Sequence, residues 1–573
     1  MINRHAVFHK PLSNYAFAID EKNLKIRIRV ARDNLLKIRL HYGDTAYPAE
    51  IVKFHSIEMK SILKDNYFDY YEALIKNSFK RVVYYFELIA VDEIKYYYTD
   101  FFYDNISFLR NDFYKFPYIR KEDVVDAPNW IKDAVIYNIF PDSFVDNFHE
   151  KNLTIKHQGN IIRGRLGGNL NSIYQKIDYI KDLGFNVIYL NPIFTGGEYH
   201  KYDVINYYEI DPLFGTNKDF KNLVETCHEK NIRVIIDGVF NHSGWNFFAF
   251  KDVLKNQEKS KYKDWFYRLE FPVVIPENDS KTPNYECFGY EKRMPKLNTS
   301  NPEVISYFMD VCAYWIREYD IDGWRLDVAD EVNTDFWRQF RKTAKSIKSD
   351  CVLIGEVWQD ASYFLDGSMF DSTMNYDFLK HAKDFFSNNS IDAYDFDGRI
   401  TNMLVRYREN MNYCQLNLLD SHDVPRFLSL LQGDINRYRL AIIFLFTSIG
   451  APSVFYGDEQ GLEGIKELDY RKSMDFSKNE SLHSFFKKII SLRNENIVLR
   501  RGYYQTLIAE KKSKLFAYKR FYNNESIEIY LNNSSEQVFI PHTIIKDWII
   551  DDFNYNENRL DSFGYLILRK GVK

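Results

Sequence analysis

A chain of 573 residues is too long for one hydrophobic core and implies two to four domains. With 45% hydrophobic, 27% charged and 17% aromatic residues it reads as globular, and its 44 Tyr and 46 Phe are many for this length. A formal net charge of −4 with both signs mixed excludes the electrostatic footprint of a nucleic-acid binder, and no polybasic block addresses an anionic membrane.

The first ten residues hold no signal-peptide-like apolar stretch, and no run of ~18 apolar residues occurs in the sequence. The expectation is a soluble, cytoplasmic protein without a membrane partner. Cys227, Cys287, Cys312, Cys351 and Cys414 are odd in number, widely spaced and free of ligand-type neighbours, which predicts reduced thiols and no cysteine-bound metal. Residues 1–125 carry period-2 alternation: Leu24, Ile26, Ile28 and Val30 interleave with Lys25, Arg27 and Arg29, and Val82 to Leu88 forms an aromatic run. That pattern predicts an N-terminal β-sandwich ending near Asp126-Ala127-Pro128.

From residue 126 to about 500, short apolar strands alternate with helix-length amphipathic segments, the pattern of a parallel α/β sheet. Strands are predicted at Ala134–Tyr137, Asn186–Leu190, Val234–Asp237, Gly323–Asp327, Val352–Glu356, Gln415–Leu419 and Ser453–Tyr456, with an eighth near Phe370–Tyr376. Eight strands close naturally as a (β/α)8 TIM barrel. One intervening helix opens at Asn301-Pro302-Glu303, where an N-cap and an N1 proline precede Val304, Phe308, Val311 and Trp315 at helical spacing. Residues 242–298 are too long for an ordinary connection and predict a domain inserted after the third strand. Residues 501–573 return to alternation, with a hairpin at Asn523-Asn524, and predict a C-terminal β domain.

In such a barrel the chemistry sits at the C-terminal strand ends. Four predicted strands deliver Asp237, Asp327, Glu356 and Asp423 there, with Arg325, His242 and His422 among them. Arg325 and Asp327 share one face of their strand, and burying two charges costs several kcal/mol per ion unless they are paired. The bland reading of that pair is a strand-end ion bridge; the other three strand ends argue for a site.

These residues closely resemble the conserved regions of glycoside hydrolase family 13, the α-amylase family: Asp237-x-x-x-Asn241-His242, Gly323-x-Arg325-x-Asp327, Gly355-Glu356-x-Trp358 and His422-Asp423. Met294-Pro295-Lys296-Leu297-Asn298, the His200-Lys201-Tyr202-Asp203 loop and the run from Trp324 to Glu331 look like the neopullulanase, cyclomaltodextrinase and maltogenic amylase branch. The N-terminal module is similar to a family 34 carbohydrate-binding module. The resemblance implies a retaining enzyme with Asp327 as nucleophile, Glu356 as general acid and base, and Asp423 as transition-state stabiliser. It implies sugar contacts from His200, Tyr202, His242, Arg325, Glu331, Trp358 and His422, with Asp237 and Asn241 as structural support. Arg325 should keep Asp327 ionised, while apolar neighbours and like charges should raise Glu356.

The expected substrates are α-glucan oligosaccharides: cyclodextrins, maltooligosaccharides or pullulan, cleaved at α-1,4 bonds with some α-1,6 cleavage or transglycosylation. An α-glucosidase or a glucanotransferase would share these residues, and a catalytically silent glycan-binding relative is the reading from another class. The branch implies a homodimer through the N-terminal domain. Where the family carries a calcium loop after strand one, this chain has Tyr137 to Asn147 without the dense pattern; Asp142, Asp146 and Asn147 offer oxygen ligands for structural calcium. The expectation is catalysis requiring no cofactor.

Overall fold

The computed structural model describes residues 1–76, 81–147, 155–157, 160–163, 166–276, 282–540 and 549–571. The chain divides into two compact units, one of Pro128–Ser387 with Cys414–Arg500, the other of Met1–Ala127, Asn388–Tyr413 and Arg501–Lys573.

The first unit holds a closed parallel barrel of eight strands: β1 (Ile136–Ile139), β2 (Val187–Leu190), β3 (Arg233–Gly238), β4 (Gly323–Leu326), β5 (Val352–Gly355), β6 (Ser372–Asn375), β7 (Leu416–Leu418) and β8 (Ala451–Phe455). The strands overlap the runs that predicted them, β1 lying two residues beyond its predicted start, because a parallel strand covered on both faces is largely apolar. β6 was obscure for the complementary reason: Ser372, Thr373 and Asn375 are polar yet buried, and Thr373 and Asn375 reach Gln415 and Asn417 beside β7 and in it (2.6 and 2.8 Å). The helix Pro302–Tyr319 starts as its cap dictates, with the Asn301 side chain accepting the N–H groups of Glu303 and Val304, and Val304, Phe308, Val311 and Trp315 fully buried. After β3 the chain leaves the barrel through a helix at Phe248–Asn256 and short bridges, Phe266 to Leu297 and His242 to Lys296.

In the second unit, among the described residues, the N-terminal part forms a four-stranded and a six-stranded antiparallel sheet around one apolar core, and residues 503–540 and 549–571 supply another six-stranded sheet. The strand Asn23–Ala31 corrects the half-buried reading. Lys25 and Arg27 are buried as well, because Glu72 pairs with both (2.8 and 3.1 Å) and Glu409 with Lys25. Residues 388–413 belong to this unit rather than clustering with the barrel strands.

Candidate active site

Register builds the site. β3 and β4 pair Asp237 with Arg325, and β4 and β5 pair Arg325 with Ile354, so two residues further on Asp327 and Glu356 stand level. The ladder continues beyond the strand ends, with the Asp327 N–H donating to Gly238 O (3.0 Å) and the Glu356 N–H to Leu326 O (2.9 Å). Alternation turns Trp324 outward onto Phe340 and Phe240, and Arg325 inward.

Arg325, with no exposed surface, is the hub. Its Nη1 donates to Asp237 (3.0 and 3.1 Å) and to Asp327 Oδ1 (2.8 Å), and its Nη2 lies 2.8 Å from Glu356 Oε1 and 4.0 Å from Asp423 Oδ2. Asp237 is further tied by the hydroxyls of Tyr189 (2.7 Å) and Tyr202 (3.1 Å). Asp327 keeps its second oxygen, Oδ2, buried with no hydrogen-bond partner. Glu356 accepts the Val328 N–H (3.0 Å) and the Tyr376 hydroxyl (3.3 Å). Val328 adopts φ 46°, a left-handed conformation that costs a β-branched residue about 1–3 kcal/mol.

Several buried acids around one guanidinium cannot all ionise easily. Burial pushes Asp327 well above the ordinary carboxylate range; Arg325 opposes this, but Glu356, Asp237 and Asp423 add to it. Glu356 is raised by burial, opposed by Arg325 and helped by Asp423. The expectation that Arg325 keeps Asp327 ionised meets an opposing balance here, because the guanidinium is divided among several acids and its pull is outweighed by burial and by Glu356, Asp237 and Asp423. Asp423 goes the other way: burial would raise it, yet His422 Nε2 at 2.9 Å and Arg471 Nη2 at 3.3 Å hold it below the usual range.

Further residues that the resemblance named lie as follows. The Tyr202 ring stacks on His422 at 5.6 Å and 11°, and Asn191 reaches His422 at 2.9 Å. His242 is buried against the face of Phe288 (4.9 Å, 19°), its Nε2 without a partner, and burial pushes its pKa down to about 3, so it stands neutral. Lys296 Nζ bridges Asn241 Oδ1 (2.8 Å) and Glu331 Oε2 (2.7 Å), which makes Asn241 a brace and leaves Glu331 half exposed on a 3-10 turn. Trp358 lies flat on Tyr376 (3.6 Å, 8°) with 47% of its surface open. His200 caps its own loop, its Nδ1 accepting the Tyr202 N–H (3.1 Å).

Sequence reading missed Tyr189 and Asn191, which the strand-end rule applied to β2 would have found. It also missed Tyr376 and Arg471. Arg471 is buried, donates to the His422 carbonyl (2.7 Å) and the Tyr199 hydroxyl (2.7 Å), and follows the short helix Glu467–Tyr470 beyond β8, with no local signal. For calcium, no group of three or more Asp, Glu, His or Cys side chains gathers as a metal site among the described residues; Asn147 spends its amide on Gly167 O (2.9 Å), and 148–154 lie outside them.

Acids at four strand ends on a closed barrel find their match in known proteins: residues 138–495 match the alpha amylase catalytic domain, and residues 1–120 the alpha amylase N-terminal ig-like domain. The chain belongs to the α-amylase family. It is 42% identical to a cyclomaltodextrinase of Thermoanaerobacter pseudethanolicus over 547 residues, 94% of each chain. Neopullulanase 2 of Thermoactinomyces vulgaris is 38% identical over 559 residues, covering 95% of this chain and 94% of that one. A solved cyclomaltodextrinase structure superposes with a TM-score of 0.89 at 34% identity, covering 100% and 98%. This α-amylase-family chain is a glycosidase, and no helix among its described residues is long and apolar enough to cross a membrane.

Proposed function

We propose that this glycosidase hydrolyses α-1,4 bonds of cyclodextrins and maltooligosaccharides, and of pullulan, with retention of configuration. The carrying observation is the pair formed by Asp327, with a buried oxygen unspent, and Glu356, raised at the same level of the adjacent strand. Asp327 Oδ2 attacks the anomeric carbon while Glu356 gives its proton to the leaving oxygen, and a covalent glycosyl–enzyme forms. Glu356, now a base, takes a proton from water, which releases the sugar. A second sugar in place of water gives transglycosylation. Asp423, held ionised beside His422 and Arg471, accepts hydroxyls of the distorted ring, and neutral His242 offers Nε2 to the same sugar. Tyr202 and Trp358 supply stacking faces.

The names of the relatives support the substrate class. Reducing-sugar release from β-cyclodextrin, pullulan and starch tests it; cleavage of cyclodextrin faster than starch is expected, and products of single glucose units from chain ends would instead mark an α-glucosidase. Loss of turnover in Glu356→Gln with sugar binding retained supports the assignment, and undiminished turnover removes it. Catalysis needs no calcium in this reading, so EDTA leaves the rate unchanged. The protein works in the cytoplasm, a reading that the odd number and wide spacing of its five cysteines supports. It pairs through the N-terminal domain, where Phe101, Phe108 and Leu109 are exposed. Light scattering giving twice the 68.5 kDa chain mass is the expected result.

A further inference from the structure

The segment between Phe194–Gly196 and Val204–Ile210 is a turn that presents Tyr199 and Tyr202 to the site, and its hydrogen bonds converge on one side chain. Asp203 is buried. Its carboxylate accepts the backbone N–H of Gly197 (2.9 Å) and of Glu198 (3.0 and 3.1 Å), which folds the turn back on itself. Three glycines permit this approach. A Cβ on Gly197 would stand 2.7 Å from Asp203 Oδ2, one on Gly196 would stand 3.1 Å from Oδ1, and one on Gly244, the start of the inserted segment, would meet the Asp203 carbonyl at 2.4 Å. The turn is closed a second time by Lys201, whose ammonium pairs with Asp211 (2.8 Å) and donates to Gly196 O (3.0 Å). Glu198 is tied across to Arg293 (2.7 Å).

What this frame holds is specific. Tyr202, adjacent to Asp203, carries its hydroxyl to Asp237 and His422, and Tyr199 carries its hydroxyl to Arg471, which itself contacts Asp423. We propose that Asp203 is a positioning residue for substrate binding: by clamping the Gly197 and Glu198 amides it fixes the Tyr202 stacking face and the Tyr199–Arg471 contact against the sugar. The inference rests on the proposed sugar-binding role of Tyr202. Burial pushes the Asp203 pKa up to about 6, opposed by the Glu198 and Gly197 amides and by Lys201, with the Glu198 carboxylate adding to the rise. The clamp therefore weakens as pH falls through that value, where the carboxylate takes a proton and loses acceptor strength toward the amides. Glu198, Lys201 and Tyr207 are titratable groups that act on it, with Asp211 paired to Lys201 and Arg293 to Glu198.

Steady-state kinetics on maltoheptaose and β-cyclodextrin with Asp203→Asn and Gly197→Ala test the proposal in the full-length enzyme. Both variants are expected to raise KM about tenfold with kcat within about threefold of wild type, because the acids on β4 and β5 are left untouched. The wild-type KM should climb between pH 7 and 5, and the Asp203→Asn KM should be flat over that range. Wild-type KM in a folded Asp203→Asn protein, or a kcat loss at unchanged KM, overturns it. If Asp203→Asn does not fold, Gly197→Ala with wild-type KM overturns it equally. Failure of the reaction assignment is read separately, as turnover surviving in Glu356→Gln.

Discussion

The two ends of β4 carry charge clusters of opposite character. At the entry, Asp322 accepts from His228 Nε2 (2.7 Å), Arg233 Nη1 (2.8 Å), Lys348 Nζ (3.0 Å) and the Val234 N–H (2.9 Å), while Lys348 also pairs with Asp320 and Arg233 with Asp350. Three acids meet three bases. At the exit, Asp237, Asp327, Glu356 and Asp423 surround Arg325, and Arg471 helps Asp423. Burial would raise Asp322, but His228 and Lys348 hold it below its ordinary value; burial raises Asp327 and Glu356, and the partners do not suffice to bring them back. Five residues of one chain thus separate a cluster whose charges are balanced from one with surplus negative charge, which is the arrangement the proposed reaction, with its acid and its nucleophile, would use.

The sharpest way to break that comparison is to neutralise one acid at each end. Asp327→Asn, which removes the proposed nucleophile, should lower kcat by at least about 10³-fold. Its melting temperature should hold or rise, since a buried surplus charge is gone. A fall in melting temperature would contradict the picture of an unbalanced exit cluster. Asp322→Asn should do the reverse, costing about 3 kcal/mol in denaturant unfolding, the scale for breaking a buried ion pair, with kcat/KM within twofold at 25 °C. Unchanged unfolding would show that the entry cluster is decoration.

pH separates the ends more finely. Asp322 has a depressed folded pKa, so its stabilisation is present above the unfolded value of about 3.9 and is lost as pH falls through the folded one; the stability gap between wild type and Asp322→Asn should close in acid. Glu356 is raised, and in its proposed role as general acid it must be protonated, so kcat/KM should fall as pH rises through its value, and the limb should shift to lower pH in Asp423→Asn, which removes a neighbouring charge. The smallest effect is expected at the rim. Trp358→Ala loses one stacking face, worth about 1 kcal/mol, and should raise KM roughly fivefold while leaving that alkaline limb in place.

Much of this was legible because burial writes itself into sequence. Strands covered on both faces must be apolar, so β1 to β5 could be read directly, and the Asn301-Pro302 cap announced its helix. The acids at the strand ends were legible because Asp237 and Glu356 each interrupt an apolar run near its end and Asp327 follows Arg325 on one face of its strand. β6 was not, since its residues are buried yet polar, and polar burial depends on partners that lie far along the chain. For the same reason Lys25 and Arg27 looked exposed until Glu72 and Glu409 were in place.

The sequence by itself determined the barrel, the family and which acids stand at the end of β4 and its neighbours, because each follows from local alternation and short motifs. Only the tertiary structure decided how charge is shared there. Whether Arg325 serves one acid or several depends on strand register, on Asp423 arriving from beyond β7 and on Arg471 arriving from beyond β8, and electrostatic energy depends on those distances rather than on neighbours in the chain.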